Sequence, residues 1–298
     1  MAMTMQEFIT LADHDLAEIR FEVERELPEQ YSKFCNVVTQ ADLYRREAKM
    51  AGFGDFAEIP EGGNVTYQTA IPPVTRRYDL VKRGSGYKIT EKLWKFDRYR
   101  EVQQFERALM RADRYDTEKF FAALFNNATN TTISAGFDGL PLASTAHTRL
   151  DGGAVISNRF TVNQALSLTS LIDAVIAFRK FVDDRGRRYL SEPRTLMIPT
   201  DLIVTAHEIL QSALRPDTAN NTTNAVRMFN LVAEEYPFLT SPTYWALLGP
   251  NHDINAIWNE RPNTKNETDF DSQTIKRFVQ KWMGRGHGEW RDFFLGST

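Results

Sequence analysis

The feature that most constrains this chain is a run of thirty residues, 97–126, that contains neither glycine nor proline. Apolar residues recur along it at roughly helical spacing, with charged residues between them. A helix of this length is about 45 Å long, well beyond the helices of most globular proteins. A plain amphipathic helix is the simpler interpretation, but the length favours a spine that organises the molecule. The apolar positions are Tyr99, Val102, Phe105, Leu109, Ala112, Phe120 and Leu124.

The N-terminal segment predicts a second amphipathic helix. Apolar residues recur three or four apart over 5–27, and Pro28 ends the pattern. Acidic residues dominate the remaining positions. We therefore expect a helix with one apolar stripe and an acidic remainder.

Between these helices the chain has strand character but little apolar content. Glycines and prolines punctuate residues 52–73. Short runs at 65–71, 78–81 and 87–90 predict strands, so this part should form a long, twisted, hairpin-like excursion. Such a segment buries little surface alone and should lie against something else.

The rest of the chain mixes helices and strands. We predict helices over 167–182 and 201–213, the second one capped by Thr200, and an exposed, mobile loop over 215–224. The order of elements is α+β rather than regular βαβ. The predicted strands cover 195–198, 228–232, 244–248 and 274–283, followed by a glycine-rich turn at 284–288.

Composition places the chain among ordinary globular proteins, with 42% hydrophobic and 25% charged residues and a net charge of −3. That net charge does not indicate an obvious nucleic-acid binder. The single cysteine, Cys35, cannot form an internal disulfide and is most simply a small buried hydrophobe. No apolar run approaches the roughly 20 residues of a membrane helix, so we predict no membrane partner.

No motif supports an enzyme. The segment His207–Gln211 begins like a zinc-protease helix but has glutamine where the second histidine ligand belongs. Ser144, His147 and Asp151 share a loop, which is ordinary loop composition rather than a catalytic triad. We predict no catalytic, metal or cofactor site. A hydrolase that uses His147 or His207 is the least favoured alternative.

Charge is concentrated in two segments. Residues 1–30 hold eight acids and two bases, and residues 76–100 hold nine bases and three acids. These segments can be two solvated faces, or the basic one can contact nucleic-acid phosphates. A third hypothesis is that the acidic arm and the basic hairpin meet across a subunit boundary, where each exposed pair contributes at most about 1 kcal/mol. The candidate interface residues are Glu18, Glu22, Glu26, Arg76, Arg77, Lys82, Arg83, Lys88 and Lys92.

Five blocks of the sequence, in order, resemble the major capsid proteins of tailed phages, with the closest resemblance to the major head subunits of Mu-like phages. The resemblance covers roughly residues 70–298, and no single motif decides it. The blocks are GYKITEKLWKFDRYREVQQFERALMRADRYDTEKFFAALFNNA, DGLPLASTAHTRLDGGAVISN, PRTLMIPTDLIVTAHEILQS, NAVRMFNLVAEEYPFLTSPTYWALLG and RFVQKWMGRGHGEWRDFF.

The resemblance implies the α+β Hong Kong 97-type capsid fold and a structural subunit rather than an enzyme. Such subunits assemble as hexamers and pentamers into an icosahedral shell around double-stranded DNA. The implied parts are an N-terminal arm (1–50), an extended β-hairpin loop (51–95), a spine helix with the peripheral domain (96–185), an axial domain (186–262) and a returning C-terminal strand (263–298).

The implied partners are other copies of the chain, the packaged DNA through non-specific contacts, and portal, scaffolding and decoration proteins. The implied location is the virion, after assembly in the host cytoplasm. Some relatives cross-link a loop lysine to a neighbour's asparagine. Lys82 and Lys88 lie in the corresponding region, but no motif identifies a partner asparagine. The alternative is an encapsulin-like nanocompartment shell, which shares the fold and encloses a protein cargo.

Overall fold

The computed structural model of the protein describes residues 18–90, 92–93, 96, 100–212, 214, 223–269 and 274–297. The first part of the predicted arm helix, residues 5–17, and most of the predicted loop at 215–224 lie outside these residues. Within them, helix α1 covers 18–26 and the spine helix α2 covers Glu101–Asn126. Both were predicted. The spine packs beside α1 because Val23 of the arm and Leu109 and Met110 of the spine share one apolar cluster.

The first sheet has the strand order β1-β8-β9-β4. Its two long central strands, β8 and β9, are antiparallel, and the edge strand β1 runs parallel to β8. Residues of α2 contact both β4 and β9, so the spine covers one face of this sheet. The strands are β1 (Asn36–Thr39), β4 (Val81–Thr90), β8 (Ile254–Asp269) and β9 (Thr274–His287).

The second sheet has the strand order β10-β7-β5-β6. Its strands β5 and β7 were predicted closely, because both are short runs of apolar residues. Helices α3 (Leu168–Arg179) and α4 (Ile203–Gln211) contribute to the core on this sheet. The strands are β5 (Thr195–Ile198), β6 (Val232–Glu235), β7 (Trp245–Leu248) and β10 (Phe293–Ser297).

A separate two-stranded ribbon pairs β2 (Tyr44–Lys49) with β3 (Val74–Asp79), antiparallel. Residues 50–73, here called the extended loop, connect the two strands without any strand of their own. The strand predicted at 65–71 is therefore wrong. An alternating pattern makes a strand only where a partner strand satisfies its backbone groups, and this segment has none in the subunit.

Three further predictions are corrected by long-range pairing. The strands predicted at 78–81 and 87–90 do not form a hairpin of their own, because all ten residues of β4 pair with β9. Residues 284–287 continue β9 instead of forming a turn. Residues Ala225–Phe229 form a 3-10 helix, so the strand expected at 228–232 begins only at Val232.

The helix after β5 starts differently from the prediction. Residues Thr200–Leu202 form a 3-10 turn before α4, and no side chain caps the helix. The Thr200 hydroxyl instead donates to Glu235 Oε1 at 2.6 Å. The predicted cap at Thr200 is wrong because β6 brings an acceptor within reach. Ser167, in contrast, caps α3 in a reciprocal pair with Ser170.

The two cores are rich in aromatic rings. Under the spine, Phe121 packs on Tyr31 at 4.4 Å and on Trp258 at 5.7 Å between ring centroids. Under α3, Phe181 packs on Trp290 at 5.3 Å. Cys35 is buried in the first core, and burial raises its pKa, as expected for a structural thiol. Among the described residues, no helix is long and apolar enough to cross a membrane.

Candidate assembly surfaces

The extended loop exposes an unusual amount of apolar surface. Phe56 is 96% exposed and Tyr67 is 91% exposed. Several large apolar side chains exposed within one segment of a folded subunit indicate a contact with another molecule. The exposed large hydrophobic residues of the loop are Met50, Phe53, Phe56, Ile59, Val65 and Tyr67.

The loop also has a definite internal arrangement. Gln68 links its two limbs, because its Oε1 accepts from the Gly54 amide at 2.6 Å and its Nε2 donates to the Asp55 carbonyl at 2.8 Å. Arg185 holds both limbs to the body, donating to the carbonyls of Gly52 at 2.8 Å and Thr69 at 3.2 Å. The chain therefore presents the loop as an ordered projection.

The loop is acidic as well as apolar. Residues 50–73 contain Asp55, Glu58 and Glu61 and no lysine or arginine. A surface that receives this loop should therefore combine basic side chains with apolar ones.

The acidic arm has basic partners on its own chain. Arg107 Nη2 lies 2.6 Å from Glu22 Oε2, and Arg111 Nη2 lies 2.8 Å from Glu26 Oε2. Each pair joins residues 85 positions apart. The repeated offset shows that α1 and α2 lie side by side and run in the same direction. The predicted interface residues Glu22 and Glu26 are thus engaged within the subunit, whereas Glu18 is exposed.

These ion pairs between α1 and α2, here called the ladder, end in a partly buried network. Glu29 Oε1 accepts from Arg114 at 2.9 Å and from Arg261 of β8 at 2.9 Å. Next to it, the Glu118 carboxylate accepts from the backbone amides of Gln30 and Tyr31, at 2.7 and 3.1 Å. These contacts fix the point at which the arm leaves the spine.

The basic residues predicted for the interface lie on β3, on β4 and just beyond β4. Arg76 and Arg77 lie on β3 at the base of the ribbon, and Arg77 pairs with Asp79 at 2.6 Å. Arg83 lies on β4 and contacts Asp116 of the spine at 2.5 Å. Lys82 and Lys88 lie on β4 with exposed side chains, and Lys92 is also exposed.

Lys82 and Lys88 belong to a larger basic face that the sequence did not reveal. Residues two apart on a strand point the same way, and pairing across β8, β9 and β4 aligns Lys265 with Phe278 and Lys276 with Lys88. Trp282 pairs with Lys82, whose Nζ lies 5.8 Å from its ring centroid. The face pointing away from the spine, here called the lysine face, therefore combines lysines with two aromatic rings. Three acids share this face: Asp269 binds Lys276 at 3.1 Å, and Glu260 and Glu267 of β8 lie opposite Trp282 and Lys276.

The opposite face of β9 carries buried charges that hold the spine in register. The guanidinium of Arg277 binds the Glu106 carboxylate twice, at 2.7 and 3.0 Å. Four residues on, Lys281 Nζ lies 2.8 Å from Asp113 Oδ1 and 2.7 Å from Thr117 Oγ1. The only sequence signal for these buried charges is the alternation of charged and apolar residues along β9. A strand with one solvated face gives the same pattern, so the sequence did not identify them.

The histidines considered for catalysis have structural surroundings. His147 Nδ1 lies 2.6 Å from Asp138 Oδ2, and its ring stacks on Trp290 at 4.3 Å. Its loop neighbours Ser144 and Asp151 make other contacts: the Asp151 carboxylate pairs with Arg149. His207 is exposed on α4. Across the described part of the chain, no group of three or more His, Cys, Asp or Glu side chains could hold a metal ion.

A long spine on a four-stranded sheet, a second helix-covered sheet and a projecting loop define a capsid subunit of the Hong Kong 97 type. Solved structures share this fold. The capsid of Cyanophage P-SCSP1u matches with a TM-score of 0.57 and 13% identity, over 88% of this chain and 85% of that one. Microbacterium phage Oxtober96 matches with a TM-score of 0.57 and 9% identity, over 91% and 92%.

A third match is the capsid of bacteriophage JBD30 decorated with minor capsid protein trimers, with a TM-score of 0.53 and 15% identity, over 72% of this chain and 91% of that one. Among curated proteins, none matches this chain in sequence. The family model described as phage capsid protein matches residues 73–294. The chain belongs to this family: it is a major capsid protein of a tailed phage, a subunit of an icosahedral shell. This match favours a phage shell over the encapsulin-like alternative.

Proposed function

We propose that this capsid protein assembles as hexamers and pentamers, and that the closed shell encloses double-stranded DNA through non-specific contacts. The single observation that carries the proposal is the extended loop, an ordered projection with almost fully exposed aromatic side chains. Fully burying a phenylalanine side chain contributes about 1.5–3 kcal/mol. A neighbouring subunit that covers these side chains would therefore gain stability from their burial.

We further propose that the neighbour covers the loop with its lysine face. The loop carries three carboxylates and no base. The lysine face supplies Lys82, Lys88 and Lys265 together with the half-exposed rings of Phe278 and Trp282. The sequence analysis paired the basic hairpin with the acidic arm across a subunit boundary. We keep the basic residues of β4 in this hypothesis and propose the extended loop, in place of the arm, as their acidic partner.

The remaining partners are proposed on the same basis. The capsid of bacteriophage JBD30 is decorated with minor capsid protein trimers. We propose decoration, portal and scaffolding proteins as further partners of this chain. Assembly would take place in the host cytoplasm, and the location of the finished protein is the virion. The proposed role is structural and includes no catalytic step.

Electron microscopy of the purified protein tests the proposal. We expect closed shells or capsomers from the wild-type chain. The double substitution Phe56→Ser and Tyr67→Ser should lower the yield of shells at least about tenfold, because two large apolar contacts are lost at every interface. The double substitution Val155→Ser and Val162→Ser, at exposed apolar residues outside the loop, is the control.

Two results would contradict the proposal. A wild-type chain that stays monomeric at all concentrations would refute self-assembly. Loop variants that form normal shells would show that the loop does not carry the interface. Shells that copurify with a protein cargo would favour the nanocompartment alternative.

A further inference from the structure

The glycine-rich end of β9 lies directly beneath the ribbon. On the side of β9 that faces away from the spine, the residues are Phe278, Gln280 and Trp282, followed by Gly284 and Gly286. Gly288, immediately after the strand, continues the same spacing. β9 therefore has no side chains on this face at the point where β3 crosses it.

The space at each glycine is filled by the ribbon or by the loops beside it. A methyl group added to Gly286 would overlap the ring of Tyr78, and one added to Gly284 would lie 3.0 Å from the Asp79 carbonyl oxygen. At Gly288 it would overlap the Asp253 carboxylate and lie 3.0 Å from the Tyr78 hydroxyl oxygen. None of these glycines has a positive φ, so close approach of the ribbon, not backbone conformation, requires glycine there.

Tyr78 is the ribbon residue that makes this contact. It is only 2% exposed, although its neighbours Arg77 and Asp79 are exposed. The ribbon is also tied to the body by Lys49 of β2, whose Nζ lies 2.6 Å from Asp184 Oδ2, and the chain bends at Leu80 from β3 into β4, which begins at Val81. The contacts of the Tyr78 ring with Gly286 and of its hydroxyl with Gly288 thus help to set how the ribbon is inclined.

We propose that Gly286 and Gly288 form a seat for Tyr78, that Gly284 admits the Asp79 backbone beside it, and that this seat sets the direction in which the extended loop leaves the subunit. The inference rests on the proposed function, because the loop must point at the neighbouring subunit for the shell to close. A small tilt at the seat is magnified along the ribbon, so the seat acts as a positioning device for assembly.

The substitution Gly286→Ala tests the seat. We expect folded subunits that give at least about tenfold fewer closed shells, because overpacking against Tyr78 tilts the ribbon. The double variant Gly286→Ala with Tyr78→Ala should recover part of the yield, since the added methyl group then has space. Ala154→Val, at an exposed residue outside the ribbon and the extended loop, is the control. Normal shells from Gly286→Ala would overturn the proposal.

Hydrogen exchange in unassembled subunits separates this inference from the proposed function. Amides of β2 and β3 should exchange faster in Gly286→Ala than in the wild-type chain, whether or not shells form. If Gly286→Ala does not fold, Tyr78→Leu, which removes the ring without adding atoms to β9, should show the same faster exchange. Unchanged exchange in the ribbon of Tyr78→Leu would overturn the seat even if the wild-type chain assembles normally.

Discussion

His287, near the end of β9, is fully enclosed by the protein. Its backbone amide donates to the Ser134 hydroxyl oxygen at 3.1 Å. Burial, with a smaller contribution from the Arg76 charge, lowers the pKa of the imidazole from 6.5 to about 3. A neutral histidine is thus built into the core beside the glycine seat.

This histidine should make subunit stability depend on pH. The unfolded chain protonates His287 near pH 6.5, whereas the folded chain keeps it neutral down to about pH 3. The unfolded state therefore binds more protons between these values, and the free energy of unfolding falls as the pH drops through this window. The largest slope that one group can give is about 1.4 kcal/mol per pH unit.

The variant His287→Gln should lose this part of the pH dependence. Denaturant unfolding of isolated subunits at pH 7 and pH 4.5 measures it. Other groups titrate in the same range: burial raises the pKa of Asp253 and Glu118. The difference between variant and wild type removes their contribution. An identical pH dependence in both proteins would show that His287 is accessible to protons in the folded subunit.

At the scale of elements, the arm and the spine are joined by a small apolar contact that is flanked by exposed ion pairs. Only a few arm residues, such as Ile19 and Val23, are buried, while the ladder from Glu22 to Glu29 follows the exposed edge of the contact. The hydrogen bond from Arg111 lowers the pKa of Glu26 below its ordinary value of 4.5. The contribution of this pair is therefore present above about pH 4.5 and is lost as the pH falls through the lowered pKa.

We predict that Arg111→Gln loosens the arm without unfolding the subunit. Amides of α1 should exchange faster than in the wild-type chain at pH 7 and low salt. The two proteins should converge as the pH falls through the lowered pKa of Glu26, because its carboxylate is then protonated, and at high salt, where exposed pairs are screened. The control is Lys119→Gln, at an exposed lysine of the spine outside the ladder. Equal exchange of α1 in Arg111→Gln and wild type would show that apolar contacts alone hold the arm.

At the scale of the whole molecule, charge complementarity between loop and lysine face should govern association. Raising the ionic strength from 0.1 M to 1 M shortens the screening length from about 10 Å to about 3 Å. The concentration at which shells form should rise over this range. Assembly that is indifferent to salt would refute an electrostatic interface.

A charge exchange identifies the two surfaces in the same experiment. The double substitution Glu58→Lys and Glu61→Lys should impair assembly at low salt. Combining it with Lys82→Glu and Lys88→Glu should restore part of the yield, because the signs are again opposite. Reversal of Lys180, an exposed residue at the end of α3, is the control. Failure of the combined variant, with folded subunits, would mean that these two surfaces do not meet.

The sequence by itself determined the elements whose signal is local. The glycine-free run predicted the spine, the apolar run at Thr195–Ile198 predicted β5, and five ordered blocks indicated the family. These features depend on spacing along the chain, which a single sequence contains.

Only the tertiary structure decided which residues meet. The partners of Glu22 and Glu26 lie 85 positions away, and β4 pairs with a strand almost 200 positions later. The glycines at 284–288 predicted a turn, whereas in the structure they allow the ribbon to cross β9 closely. Side chains from distant segments come together because packing excludes water from shared surfaces, and no local pattern specifies which surface is shared.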